Sequence, residues 1–200
     1  MNSQTRFVIT GPPGSGKTTM LRELEQLGFV CMPEVARQII QEQVRAGGTA
    51  LPWSDREEYT RLMLKRSIES YQQTPSSQPT FADRGIPDTL GYARLIALGD
   101  EREIRDACVR YRYASPVFVT SPWEEIYETD TERKQDFAEV VRTFHFLTRT
   151  YEECGYALLE VPQAPPRERA LFVLEHIGLP GDALLGNDVK ARRRVPQNES

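Results

Sequence analysis

The sequence has no apolar run of about 18 residues, the length a helix needs to satisfy its backbone while crossing a bilayer, so no membrane span is expected. A positive excess is missing as well. The 25 Lys and Arg stand against 29 Asp and Glu, a formal net charge of −4, and without a global positive field nucleic acid is a disfavoured partner. Cysteine is scarce and odd in number: Cys31, Cys108 and Cys154 lie far apart, which suits buried, inert, reduced thiols rather than a disulfide framework. Histidine is scarcer still. Neither His145 nor His176 stands at metal-ligand spacing from a cysteine, so both read as structural. Met1 runs directly into Phe7-Val8-Ile9 without a charged n-region, a long apolar stretch and a small-residue cleavage site, so no secretion signal is expected. Together these absences predict a soluble, cytoplasmic protein.

What is present suffices for one domain, since 200 residues at 39% hydrophobic composition can build a single core. Arg6 to Thr10 reads as a strand, and Met20, Leu21, Leu24 and Leu27 follow at helical spacing until Gly28 stops them. A second strand, Phe29 to Met32, precedes a helix with Val35, Ala36, Ile39, Ile40 and Val44 on its apolar groups. Ser54-Asp55-Arg56-Glu57 matches a capping box and predicts a long helix to about Gln73. Thr80-Phe81-Ala82-Asp83 gives a third strand with Asp83 at its C-terminal end. A helix around Ile104, Ala107, Cys108 and Tyr111 leads to a fourth strand, Pro116 to Thr120. The clean stripe of Phe137, Val140, Val141, Phe144, Leu147 and Tyr151 marks a core-facing helix, followed by a fifth strand at Tyr156 to Val161 and a last helix through Ile177. Strands alternating with helices predict an α/β fold, a parallel sheet covered on both faces. Residues 1–180 form the expected domain, and 181–200 a polar, basic tail with Lys190, Arg192, Arg193 and Arg194. The tail reads as solvated chain, with contact to an anionic partner as the alternative.

The strongest chemical pattern is Gly11-Pro12-Pro13-Gly14-Ser15-Gly16-Lys17-Thr18, placed between a strand and an amphipathic helix with Thr19 following. Its glycines let backbone N–H groups curl around a β-phosphate, and the helix N-terminus adds partial positive charge. Residues 11–19 are therefore the expected nucleotide site, with Lys17 on the β- and γ-phosphates, Thr18 on Mg²⁺, and Gly14 and Gly16 intolerant of side chains. Asp83 falls where ligands bind in open α/β sheets and can reach the metal directly or through water; a turn-capping Asp is the plainer alternative. Arg84 offers a fork suited to phosphate or carboxylate, or else a structural ion pair. Glu34 and Arg37, one helical turn apart after the second strand, make a substrate pocket with Arg84 in which Glu34 can accept the proton of an attacking hydroxyl. The alternative is an exposed Glu in a helix's first turn. The polar stretch Tyr127 to Lys134 predicts a lid at about 125–136, with Arg133 as transition-state cation or surface charge.

The phosphate loop, Pro33-Glu34-Val35-Ala36-Arg37, Asp83-Arg84-Gly85-Ile86-Pro87-Asp88, Asp130-x-x-Arg133 and the closing Tyr151, Gly155-Tyr156, Pro162 and Arg167 together resemble a family. It is the small AAA-type predicted ATPases, P-loop proteins related to nicotinamide riboside kinase and to nucleoside and nucleotide kinases. The resemblance spans about residues 5 to 178. It implies a three-layer P-loop sandwich with five parallel strands in the order 2-3-1-4-5. It also implies that Glu34 looks like the kinase base, Asp83-Arg84 like the metal and substrate-phosphate pair, and Arg133 like a lid arginine. The leading expectation is an ATP- and Mg²⁺-dependent small-molecule kinase with catalytic residues Glu34, Lys17, Asp83 and Arg133, acting on an unidentified hydroxylated acceptor, with GTP the alternative nucleotide. A nucleotide switch or slow NTPase controlling a protein or lipid partner is the second expectation.

Overall fold

The structure, a computed structural model, describes residues 5–75, 77–126 and 137–179. Its five strands are β1 (Arg6–Thr10), β2 (Val30–Met32), β3 (Thr80–Asp83), β4 (Val117–Thr120) and β5 (Leu158–Val161). Seven helices accompany them: α1 (Lys17–Gln26), α2 (Val35–Ala46), α3 (Arg56–Gln73), α4 (Ile86–Leu95), α5 (Arg102–Arg110), α6 (Phe137–Glu153) and α7 (Pro166–His176). The strands form one parallel sheet in the order β2-β3-β1-β4-β5, so the third strand lies beside the first.

Alternation along the strands divides the core into two layers. Val8, Ala82, Val117 and Val119 face α4, α5 and Tyr151, whereas Ile9, Phe81, Phe118 and Val161 face α1 and α7. Each central strand is apolar on both sides, as a sheet covered by helices on two faces requires. A smaller cluster of Ile39, Tyr59 and Met63, with Tyr92 packed against it, joins α2, α3 and α4 beyond the sheet's edge.

One expectation changes, and one helix is added. The cap of α3 is Asp55, whose side chain accepts the Glu58 N–H at 2.9 Å, and no Ser54 capping box forms. Helix α4 has no amphipathic stripe to read, because Ile86, Pro87, Asp88, Thr89, Leu90, Gly91 and Ala93 are all buried. It lies between the sheet and α6, and a Cβ on Gly91 would come within 3.1 Å of Leu147 Cδ2, so glycine permits this close approach. Arg94 then ties the two helices, donating from Nη1 to Thr150 Oγ1 at 3.0 Å and pairing with Glu153 at 2.7 Å.

All three cysteines are free thiols, Cys108 buried and Cys31 and Cys154 half-buried. Burial pushes Cys31 up to about 12, whereas a hydrogen bond with the Cys108 thiol draws Cys154 down to about 7. Among the described residues no helix is long and apolar enough to cross a membrane.

Candidate active site

The carboxyl ends of β1 and β3 set the positions of the site. Gly11 follows β1 with φ 143°, and a Cβ there would lie 2.3 Å from the Thr120 carbonyl oxygen at the end of β4. Only glycine lets the loop turn against the neighbouring strand so closely. Ser15 closes the turn, donating to the Pro12 carbonyl at 2.8 Å and meeting the Thr120 hydroxyl at 2.6 Å. Gly14 and Gly16 are left-handed at φ 77° and 74°. The loop therefore enters α1 with Lys17 already in its first turn and buried.

Lys17 donates from Nζ to the Gly11 and Pro12 carbonyls at 3.0 and 2.8 Å. Burial, helped by the charge of Arg84, pulls its ammonium down to about 8. Thr18 and Thr19 are exposed and line the same cavity as Lys17. Asp83 pairs in register with Ile9 and is buried, and its Oδ1 has no hydrogen-bond partner. Burial, with Glu34 and Asp88 nearby, pushes the Asp83 carboxyl up to about 6 against the pull of Lys17 and Arg84. A carboxylate oxygen left unpaired at this end of the sheet is a fit for a hard cation such as Mg²⁺, and Thr18 supplies a second oxygen to the same cavity.

Arg84 occupies a left-handed conformation, φ 74°, costly for any residue with a Cβ and held here by its N–H donating to the Ile9 carbonyl at 3.0 Å. Its guanidinium is divided between two carboxylates. Nε donates to Glu34 Oε1 at 2.8 Å, and Nη1 donates to Asp88 Oδ1 at 3.1 Å. Burial pushes the Glu34 carboxyl up, but Arg84, Lys17 and Arg37 together outweigh it and hold the group below the usual carboxylate range. Arg37, on α2, lines the cavity beside Glu34.

Asp88 is the anchor of this arrangement. Its Oδ1 also accepts the Thr10 hydroxyl at 2.6 Å, while Oδ2 accepts the Gly85 N–H at 2.8 Å and the Tyr151 hydroxyl at 2.5 Å. Four donors saturate one buried carboxylate and bind β1, α4 and α6 to the arginine that orients Glu34. Neither the Asp88 nor the Tyr151 role was legible as chemistry. Asp88 lies at the end of Asp83-Arg84-Gly85-Ile86-Pro87-Asp88, and Tyr151 in an apolar stripe that a core-facing helix explains by itself.

A second arginine was missed altogether. Arg169, on α7 and only 2% exposed, donates from Nη1 to the Gly16 carbonyl at 3.1 Å and from Nη2 to the Ser15 carbonyl at 3.0 Å. Its guanidinium carbon lies 5.8 Å from the Trp123 ring centroid. A Cβ on Gly16 would lie 2.5 Å from Arg169 Nη1, so intolerance at Gly16 has a cause within the protein. Arg133 and most of the expected lid fall outside the described residues, as does the tail of 181–200. The single turn of 3₁₀ helix at Glu124–Ile126 is the part of that stretch described.

These groups open on one cavity of about 1220 Å³, lined by Ser15 to Thr19, Glu34, Arg37, Asp83, Arg84 and Arg169 among others. That exceeds the roughly 300–1,000 Å³ usual for one small-molecule site and leaves room for two ligands.

The model of a family described as an AAA domain matches residues 6–169. No curated protein matches the chain. Among solved structures, NadR in complex with NR is similar at a TM-score of 0.62 and 18% identity over 87% of this chain, which spans 50% of the NadR chain. Thymidylate kinase from Ehrlichia chaffeensis is similar at 0.56 and 18%, over 88% of this chain and 99% of that one. Shikimate kinase from Acinetobacter baumannii, in complex with shikimate, is similar at 0.52 and 18%, over 88% and 94%. At such identities the likeness is one of fold: a P-loop kinase sandwich.

Proposed function

From the premise that this chain belongs to the AAA domain family of P-loop proteins and has a kinase fold, we propose that it is an ATP- and Mg²⁺-dependent small-molecule kinase, its catalytic domain lying within residues 1–180. One observation carries the reading: a carboxylate, Glu34, is clamped by Arg84 beside the phosphate loop, on the wall of a cavity with room for a second ligand. A protein that only held nucleotide would need no such second compartment.

In this reading residues 11–19 take the triphosphate. Lys17 exchanges the Gly11 and Pro12 carbonyls for phosphate oxygens, which compensate its burial better than neutral acceptors do. Thr18 and Asp83 would hold Mg²⁺, which when bound neutralises charge on the β- and γ-phosphates. Arg169 keeps the loop's N–H groups aimed at the ligand by holding the carbonyls of Ser15 and Gly16 from behind. Glu34 accepts a hydrogen bond from the acceptor hydroxyl, with Arg37 at the same wall. The acceptor oxygen forms the new bond to the γ-phosphorus as the bond to the β,γ-bridging oxygen breaks. The hydroxyl proton passes to Glu34, and nucleoside diphosphate leaves. Because Arg84 holds Glu34 ionised and weakly basic, its contribution is orientation and late proton transfer, which suits a loose phosphoryl-transfer transition state.

The test is nucleoside diphosphate release from Mg·ATP and Mg·GTP by wild type and Glu34→Gln, with and without pooled hydroxylated metabolites. Acceleration by a pool, lowered about 100-fold to 10,000-fold in Glu34→Gln, is the expected result. Slow turnover that no pool changes would replace this reading with a nucleotide switch acting on a partner.

A further inference from the structure

Away from the phosphate loop, α5 and α6 bring two thiols together. Cys108 lies in the last turn of α5, 3% exposed, in the core that α4, α5 and Tyr151 build on one face of the sheet. Cys154 follows α6 and packs, half-buried, against the same core cluster. The chain around it is fixed by its own helix end. Cys154 N–H donates to the Thr150 carbonyl at 3.0 Å, Gly155 turns left-handed at φ 76°, and Tyr156 N–H returns to the Tyr151 carbonyl at 3.1 Å. Arg112 then donates from Nη1 to the Cys154 carbonyl at 2.6 Å, its guanidinium carbon 3.9 Å from the Tyr156 ring centroid. In this setting the Cys108 thiol donates a hydrogen bond to the Cys154 sulfur.

The charges around the pair favour an anion on Cys154. The Cys108 hydrogen bond, with Arg94 of α4, Arg112 and Arg105 of α5, draws the thiol down to about 7 against the burial that raises it. Two carboxylates share these arginines: Glu101 lies 3.6 Å from Arg94 and 2.7 Å from Arg105, and Glu153 lies 2.7 Å from Arg94. Three positive charges thus meet two negative ones, and the surplus offsets the carboxyl end of α6, which works against an anion. Cys31 has neither feature. Its Sγ donates to the Leu21 carbonyl at 3.5 Å, and burial raises it to about 12. The two paired thiols also differ in reach, since Cys154 is open to a small reagent from solvent and Cys108 is not.

We propose that Cys108 and Cys154 are a reversible modification site for hydroperoxides, with Cys154 the thiol attacked first and Cys108 the thiol that resolves it into a disulfide. The Cys154 thiolate attacks the terminal oxygen of the peroxide. Its S–O bond forms as the O–O bond breaks, and the alkoxide takes a proton from water and leaves as alcohol, or as water from hydrogen peroxide. Cys154 is then a sulfenic acid. The Cys108 sulfur attacks the Cys154 sulfur, the S–S bond forms as the S–O bond breaks, and the hydroxide departs as water with the Cys108 proton. Two thiols are oxidised by two electrons in all, and one peroxide is reduced. Cys154 is three residues beyond Tyr151, so the bond forms one helical turn from the hydroxyl that completes Asp88.

The test uses the full chain, reduced and freed of reductant, treated with hydrogen peroxide at pH 7. Samples taken over time are quenched in iodoacetamide and denaturant and mapped by peptide mass spectrometry. The expected product is a Cys108–Cys154 disulfide within one chain, reversed by dithiothreitol, with Cys31 alkylated throughout. Cys31→Ser forms the same bond at the same rate. Cys108→Ser stops at a Cys154 sulfenic acid that dimedone traps, and Cys154→Ser leaves Cys108 reduced. Iodoacetamide added to the native chain at pH 7 modifies Cys154 at least about tenfold faster than Cys31. A disulfide that includes Cys31, a disulfide only between chains, or thiols that peroxide leaves unchanged overturns the proposal. So does a sulfinic acid on Cys154 with Cys108 still free, or oxidation of Cys108 in Cys154→Ser at the wild-type rate. The wild-type arms decide the matter even where a serine in the core disturbs folding, which circular dichroism reports.

Discussion

At Gly11 the backbone is left with no alternative. Its φ of 143° is foreign to residues with a Cβ, and an added methyl would meet the Thr120 hydroxyl and also the Thr120 carbonyl, a main-chain group that cannot rotate away. Gly11→Ala should therefore cost about 2 kcal/mol or more, seen as a lower urea midpoint with unchanged slope, and should weaken nucleotide binding with it. Glu34 gives a second prediction at this scale. Its folded carboxyl lies below its ordinary value of 4.5, so it contributes stability that is full above that value and lost as pH falls through the folded one. Urea midpoints measured from pH 6 downward should fall less steeply for Glu34→Gln than for wild type. Parallel slopes would mean that the Arg84 pair contributes nothing to folding.

Elements matter through what they bring back to the phosphate loop. Helix α7 is more than 140 residues from that loop in sequence, yet its Arg169 holds two loop carbonyls, and no carboxylate among the described residues pairs with it. Desolvation without a counter-charge is a standing cost, and the two carbonyl bonds are what offset it. Arg169→Met keeps much of the packing against Trp123 and removes both bonds. The expected outcome is a circular dichroism spectrum like wild type and a nucleotide Kd raised about tenfold. Helix α6 acts similarly through Tyr151, whose hydroxyl completes Asp88, and Asp88 in turn holds the arginine that orients Glu34.

At the scale of the whole molecule, the charged site is built on the sheet's carboxyl edge, between two cores that do not need ligand to close. Asp83 is buried with an unpaired oxygen, so ligand that satisfies it should be felt as global stability. Mg·ATP at about 100 times its Kd should add about 2.7 kcal/mol and raise Tm, and Asp83→Asn should lose the Mg²⁺-dependent part of that rise while keeping the part given by nucleotide alone. An equal Mg²⁺-dependent rise in the variant would remove Asp83 from the metal site. How much of this was legible follows from the range of each interaction. The phosphate loop, the five strands and most helices are local patterns, since glycine spacing and side-chain period depend only on near neighbours, and the order 2-3-1-4-5 was available through resemblance. Helix α4 was unreadable because seven of its ten residues are buried, which leaves too little polar face to give it a period. Asp88, Tyr151 and Arg169 were unreadable for a different reason: their partners lie 63 residues away for Tyr151 and Asp88, and 153 or 154 residues away for Arg169 and the loop. The sequence by itself determined that this chain folds around a phosphate loop; which charges surround it, and the second compartment beside it, were decided only when the sheet brought distant elements to one edge.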